Sequence, residues 1–68
     1  MQICGIDPGL RSTGWGIVRF ENNRMFWVAD GMIRPDPEAE MADRLNHIHR
    51  HLKTILAQYE PDRVAIEE

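Results

Sequence analysis

The sequence predicts an α/β fold in which a three-stranded antiparallel meander is followed by one helix and a strand parallel to the first. Three observations predict it. Residues 2–33 hold three apolar runs separated by turn residues, residues 41–59 carry an apolar stripe at helical spacing, and a short apolar run follows at 64–66. A strand that follows a crossover helix is expected to lie parallel to an earlier strand of the same sheet.

The first strand is predicted at residues 2–6, an apolar run typical of a central strand with both faces covered. Asp7 follows where the run stops, and Pro8 and Gly9 then turn the chain, since Pro fixes φ and Gly accepts a positive φ. Ligands of open α/β sheets gather outside the carboxyl ends of the strands, so Asp7 is a candidate site residue. The alternative is a plain turn in which Asp7 bonds its own backbone.

The second and third strands are predicted at residues 13–20 and 25–33. The second strand has apolar residues on both of its alternating faces, which indicates an interior position in the sheet. Asn22 and Asn23 between the strands favour a two-residue type I′ hairpin, because Asn tolerates the left-handed conformation. Glycines at positions 5, 14, 16 and 31 suggest close packing within this sheet.

A helix is predicted after the Arg-Pro-Asp-Pro segment, with Asp36 as its N-cap and Pro37 at its first position. It is expected to end near Tyr59 or Glu60, because Pro61 follows. One helical stripe is predicted to pack on the sheet as core; its members are Met41, Leu45, Ile48, Leu52, Ile55, Leu56 and Tyr59.

Length and composition predict one small domain covering residues 1–68. Eight Lys and Arg residues against eleven Asp and Glu give a net charge of −3, which is not the footprint of a self-sufficient nucleic-acid binder. Binding of that kind needs a local basic patch or further residues. The single cysteine, Cys4, excludes an internal disulfide and favours a core residue in a reducing cytoplasm. Neither a signal peptide nor a membrane-spanning run is found, so a cytoplasmic location is expected.

Two histidines on the predicted helix, His47 and His51, have the i,i+4 spacing that can present two imidazoles to a metal. They lie off the apolar stripe, beside Arg44, Arg50 and Lys53. A solvated, mildly basic helix face is therefore the favoured interpretation.

The last strand is predicted at residues 64–66 and is followed by Glu67 and Glu68. If it neighbours the first strand, the two backbones lie about 4.8 Å apart, and Asp7 and one glutamate can share a cation. Side chains alternate between faces, so Glu67 and Glu68 cannot both point toward Asp7. Oxygen ligands favour Mg²⁺ or Mn²⁺ over Zn²⁺.

The motif Ile-Asp7-Pro-Gly-Leu-Arg11-Ser-Thr13-Gly-Trp-Gly16, followed much later by Val-Ala-Ile-Glu67-Glu68, resembles the amino-terminal part of the RuvC family of Holliday junction resolvases. The likeness extends over the whole chain and implies a truncated RNase H-like half-domain. It also implies a Mg²⁺-dependent endonuclease, with Mn²⁺ as a possible substitute, that acts on branched DNA in recombination and repair. A homodimer and a complex with a branch-migration helicase are implied as partners.

By the same resemblance, Asp7 and Glu67 match two of the four catalytic acids of the family and would hold the metal. Glu67 is preferred to Glu68 because the family's glutamate directly follows Ala-Ile. Gly9 and Arg11 are candidates for contact with a substrate phosphate, although a surface ion pair is an equally good role for Arg11.

Family members are more than twice as long as this chain, and the other two acids belong to the part that is absent here. The chain alone is therefore expected to be inactive or nearly so. Its last strand would form an unpaired edge, which favours self-association. Two other interpretations stay open: a nucleotide-phosphate-binding fragment of the actin, Hsp70 and sugar-kinase kind, and a non-catalytic assembly module.

Overall fold

The computed structural model describes residues 1–9 and 11–67. It contains one mixed sheet of strand order β3-β2-β1-β4 and one helix. The elements are, in chain order, β1 (Gln2–Asp7), β2 (Thr13–Glu21), β3 (Arg24–Ile33), α1 (Met41–Tyr59) and β4 (Arg63–Ile66). The first three strands are antiparallel, and β4 lies parallel to β1. The predicted α/β fold class is confirmed.

The hairpin between β2 and β3 has the predicted geometry. Asn22 and Asn23 have φ values of 51° and 62°, which is the left-handed conformation that a type I′ turn requires at both central positions. β2 pairs with β3 on one side and with β1 on the other, as its two apolar faces predicted. A register shift between Ile17 and Val18 marks a bulge in the β2–β3 pairing.

The core lies on one side of the sheet, which we call the helix face. Cys4 and Ile17 are fully buried there and Ile6 is nearly so. Trp15 and the carboxyl-terminal half of α1 pack against them; the helix residues in contact are Leu52, Ile55, Leu56 and Tyr59. The ring centroids of Trp15 and Tyr59 are 5.9 Å apart. Cys4 is a small core side chain, as predicted, because it is fully buried, and this burial raises the pKa of its thiol by desolvation.

The other side, the open face, carries the side chains that alternate with the core residues, from Gly5 and Asp7 on β1 to Phe20 on β2. None of the described elements covers it. Near the hairpin, Met25 and Trp27 of β3 are 65% and 69% exposed. The packed core and the open face therefore place stability on one side of the sheet and accessible surface on the other.

The prediction that the whole helical stripe is core was wrong for its first part. Met41 and Leu45 are 56% and 58% exposed, whereas the stripe from Leu52 onward packs on the sheet. A helical period shows which face of a helix is apolar but not how far the sheet extends beneath it. The first turns of α1 run past the edge of the core.

The predicted N-cap was also wrong. α1 begins at Met41 with Glu40 in the cap position, and the Glu40 side chain makes no cap hydrogen bond. Asp36 instead closes a separate turn, because its Oδ1 accepts a hydrogen bond from the Glu38 N–H at 2.9 Å. The predicted end is confirmed: Glu60 has a φ of 46° and donates its N–H to the Leu56 carbonyl.

The glycines differ in the space that surrounds them. A Cβ on Gly31 would lie 2.9 Å from three atoms of the Trp15 ring, so close packing is confirmed there. A Cβ on Gly5 would meet nothing within 4 Å, so the prediction was wrong at that position. Gly9 does not have the expected positive φ; a side chain there would instead overlap the Ser12 carbonyl oxygen.

The outward side of α1 carries the two histidines. Their rings stack with centroids 4.1 Å apart, and Nδ1 of His51 is 2.9 Å from the His47 carbonyl oxygen.

Across the part of the chain that the structure describes, no helix combines the length and apolar character needed to cross a bilayer.

Candidate active site

Asp7 is the last residue of β1, which is an interior strand. Its partner on β2 is Gly14, and a Cβ built on Gly14 would lie 3.9 Å from the Cβ of Asp7. The Asp7 side chain therefore projects from the open face and is exposed to solvent. Because strand pairing on both sides orders β1, the backbone that carries the Asp7 side chain has a defined place on the sheet rim.

Glu67 follows the last residue of β4 and lies beside Asp7. The parallel register pairs Ile6 with Ile66, and the Glu67 N–H donates to the Ile6 carbonyl at 2.9 Å. Partners in a sheet share a face, so the next residues along the two strands, Asp7 and Glu67, share the opposite face. The structure thus brings the two predicted acids together on the open face at one end of the sheet. Glu68 lies outside the described residues.

A pair of residues at the other end of β1 sets this register. The backbone N–H of Gln2 donates to Oδ2 of Asp62 at 2.8 Å, and the Asp62 N–H donates to the Gln2 carbonyl at 2.7 Å. These bonds align Arg63 with Ile3, and the parallel ladder carries the alignment along to Ile66. A contact between residues sixty positions apart therefore determines which residue of the last segment stands beside Asp7.

Small residues occupy the positions next to the two acids on the open face. Gly14 lies next to Asp7, and the adjacent row across the open face contains Ala65, Gly5 and Gly16. No side chain occupies the space over Gly5. The surface over Gly5 is therefore open to a ligand, whereas Sδ of Met32 lies 3.4 Å from a Cβ built on Gly14, beside Asp7.

The chemistry of the two acids suits a hard divalent cation. Ionised carboxylates only accept hydrogen bonds and are preferred ligands of Mg²⁺ and Mn²⁺. Within residues 1–9 and 11–67, no group of three or more His, Cys, Asp or Glu side chains is placed to hold a metal. The described residues therefore supply at most part of a coordination shell.

The predicted phosphate contacts lie in the loop after β1. Arg11 is exposed and lines an open cavity, whereas Gly9 lines a small neighbouring one over the start of α1. Two residues that the sequence did not single out, Arg34 and Arg44, share the cavity with Arg11. Arg34 directly follows β3, whose end lies beside the start of β2, so strand pairing and not a local motif brings it near Arg11.

Known proteins resemble the chain over its full length. The sequence profile described as "Crossover junction endodeoxyribonuclease RuvC" matches residues 3–68. A protein of that name from Paramagnetospirillum magneticum is 50% identical over 68 residues, covering all of this chain and 41% of the relative. One from Caulobacter vibrioides is 48% identical over 67 residues, covering 98% of this chain and 40% of the relative. The chain thus spans about 40% of the length of these curated relatives.

Solved structures that resemble the chain include proteins of the same name. Thermus thermophilus RuvC has a TM-score of 0.90 at 28% identity, covering all of this chain and 45% of the other. The same protein in complex with a Holliday junction substrate has a TM-score of 0.91 at 28% identity, covering all of this chain and 44% of the other. An Aquifex aeolicus Ppx/GppA phosphatase has a TM-score of 0.74 at 14% identity, covering 97% of this chain and 25% of the other, which shows a shared fold alone.

The profile match covers nearly the whole sequence, and the strand order agrees with the RNase H-like sheet of the Thermus thermophilus relative. The chain belongs to the RuvC family of crossover junction endodeoxyribonucleases.

Proposed function

We propose that the chain is the amino-terminal part of a Mg²⁺-dependent endonuclease that resolves four-way DNA junctions by phosphodiester hydrolysis in recombination and repair. One observation carries the proposal: in a chain of this family, Asp7 ends β1 and Glu67 directly follows the neighbouring parallel strand β4, with the Glu67 N–H bonded to the Ile6 carbonyl. The structure of the Thermus thermophilus relative with a Holliday junction supports branched DNA as the substrate class.

Asp7 and Glu67 are the residues that would hold the metal. Bound divalent cations activate a water for in-line attack on a phosphodiester and neutralise the leaving oxygen. The two side chains contribute charge and position, since Asp7 belongs to β1 and the Glu67 N–H is bonded to the Ile6 carbonyl of the same strand. The open surface over Gly5 lets a DNA strand approach the carboxylates from that side.

Two carboxylates bind a divalent cation only weakly, with a dissociation constant on the order of millimolar. We therefore infer that the remaining acids come from the rest of the full-length protein, and that the 68-residue chain alone does not cleave DNA. The homodimer and the complex with a branch-migration helicase belong to the same proposal, and so does a cytoplasmic location. Incubation of the chain with a four-way junction and Mg²⁺ is expected to leave the DNA intact.

Calorimetric titration with Mn²⁺ tests the metal site without the missing part. The parent chain is expected to show one weak site, and Asp7→Asn and Glu67→Gln are each expected to lose its heat. Glu60→Gln is the matched control, because Glu60 follows α1 near Gln2 and Asp62, at the opposite end of the sheet. Identical heats in the parent and in Asp7→Asn would contradict the proposal.

A further inference from the structure

Three arginines from three separate segments line one open cavity of about 660 Å³. Arg11 belongs to the loop after β1, Arg34 follows the last residue of β3, and Arg44 lies in the first turn of α1. We call this cavity the arginine cleft. The rest of its lining is Pro35, Pro37 and Glu38.

The fold, rather than the flexibility of long side chains, brings these arginines together. Thr13 pairs with Ile33, so the segments that carry Arg11 and Arg34 meet at the same end of the sheet. Pro35 is buried and anchors the chain directly after Arg34. The helical bond from the Arg44 N–H to the Glu40 carbonyl fixes the third backbone position.

The charge of the arginine cleft is opposite to that of the chain. The chain has a net charge of −3, whereas the cleft has three guanidinium groups and one carboxylate, that of Glu38. Among the described residues, no carboxylate forms an ion pair with Arg11 or Arg34, in contrast to Arg19, which lies 3.3 Å from Glu21. A guanidinium presents five N–H donors in a planar fork that matches phosphate oxygens. Phosphate is therefore the anion that this cluster suits best.

The position of the arginine cleft relative to the acids defines its role. Asp7 pairs with Gly14, the residue after Thr13, so the cleft and the two acids occupy the same end of the sheet. The acids lie on the open face, whereas Arg44 belongs to the helix on the opposite side. A nucleic-acid strand that crosses this end of the sheet would therefore meet the carboxylates and the guanidiniums with different phosphates.

We propose that the arginine cleft binds a backbone phosphate of the DNA strand, separate from the phosphate at the two acids. The proposal rests on the proposed function for the identity of the polymer, and it adds Arg34 and Arg44 as positioning residues. Phosphate contacts set the register of a protein on nucleic acid without reading its sequence. The cleft also supplies the local basic patch that a chain with a net negative charge needs in order to bind nucleic acid.

The test is an NMR titration of the ¹⁵N-labelled chain with a short single-stranded DNA at low salt in EDTA, so that metal binding at Asp7 and Glu67 plays no part. The parent is expected to shift amide signals around the cleft. Arg34→Gln and Arg44→Gln are each expected to weaken DNA binding by about fivefold to tenfold. Each is also expected to make the plot of the logarithm of the association constant against the logarithm of salt concentration less steep, by about 0.7. Arg24→Gln at the β2–β3 hairpin removes the same charge at the other end of the sheet and is expected to retain parental affinity.

Equal weakening by Arg24→Gln and the two cleft variants would overturn the proposal, because it would show a general effect of charge. Unchanged affinity in both cleft variants, or no binding by the parent, would overturn it as well. A second titration uses inorganic phosphate in place of DNA. If phosphate shifts the amide signals around the cleft while the cleft variants leave DNA affinity unchanged, the cleft is an anion site without a role in nucleic-acid binding, and the proposal is overturned. Absence of Mn²⁺ binding by the parent chain, together with intact DNA shifts, would refute the metal site alone.

Discussion

Asp62→Ala is predicted to loosen β4 and, with it, the position of Glu67. The substitution removes the acceptor of the Gln2 N–H, whereas the bond from the Asp62 N–H to the Gln2 carbonyl can remain. β4 is a four-residue edge strand with exposed side chains, and β1 is its only partner in the described sheet. Little else among the described contacts compensates for the lost bond, so the effect is expected to concentrate on β4.

The magnitude follows from the geometry of this bond. It is 2.8 Å long and has an ionised acceptor, and such bonds contribute about 1.5–3 kcal/mol. Because this bond is exposed to solvent, we expect a loss of about 1 kcal/mol, which is a factor of about 5 in an equilibrium constant. In a domain of this size that loss lowers Tm by about 4–8 °C.

Amide hydrogen exchange measures the effect at the site itself. The Glu67 N–H, which bonds the Ile6 carbonyl, is expected to exchange about five times faster in Asp62→Ala than in the parent. Amides next to the β2–β3 turn, which exchange by local fraying, are expected to keep their rates. Asp62→Asn retains an oxygen acceptor and is expected to show less than half of the change. Unaltered exchange at Glu67 in Asp62→Ala would refute the inference that this pair holds β4 in register.

Three further predictions concern the core. Ile17→Ala removes a fully buried side chain and is expected to lower the free energy of unfolding by about 2–5 kcal/mol, measured by urea denaturation. Gly31→Ala forces the Trp15 ring to move and is expected to cost about 1–3 kcal/mol with a change in tryptophan fluorescence, whereas Gly5→Ala, with open space around it, should be tolerated. Burial raises the pKa of Cys4, so the thiol ionises first in the unfolded chain; stability is therefore expected to fall as pH rises above about 9, and Cys4→Ala should remove that part of the pH dependence.

The strands were predictable because their signals are local. Alternation of apolar residues, the two asparagines of the hairpin and the proline after α1 each act within a few residues, and the structure follows them closely. The start of α1 was missed because Asp36 and Pro37 have the residue types of a helix cap, although Asp36 closes an isolated turn. A local motif cannot distinguish these two uses of the same side chain.

The candidate site was only partly predictable, since its geometry depends on register. Strand ends placed Asp7 and Glu67 at one rim, but the residue beside Asp7 is determined by the distant Gln2–Asp62 pair. The arginine cleft had no local signal, because Arg34 and Arg44 meet Arg11 only through strand pairing and the start of α1. The contrast between crowded Gly31 and open Gly5 likewise depends on which face and which neighbour each glycine meets.

The division between the two faces of the sheet determines how cleanly the site can be tested. Cys4, Ile6 and Ile17 form the core on the helix face, whereas Asp7 and Glu67 extend from the open face into solvent. Replacing either carboxylate with its amide removes no buried surface and creates no cavity. The loss of buried surface and the cavity are the two causes that make core substitutions destabilising, and neither applies here. Surface substitutions of this kind usually change stability by less than about 0.5 kcal/mol. A loss of Mn²⁺ binding in Asp7→Asn with an unchanged Tm would therefore report on the metal site alone, whereas a large fall in Tm would show that the open face contributes to the fold.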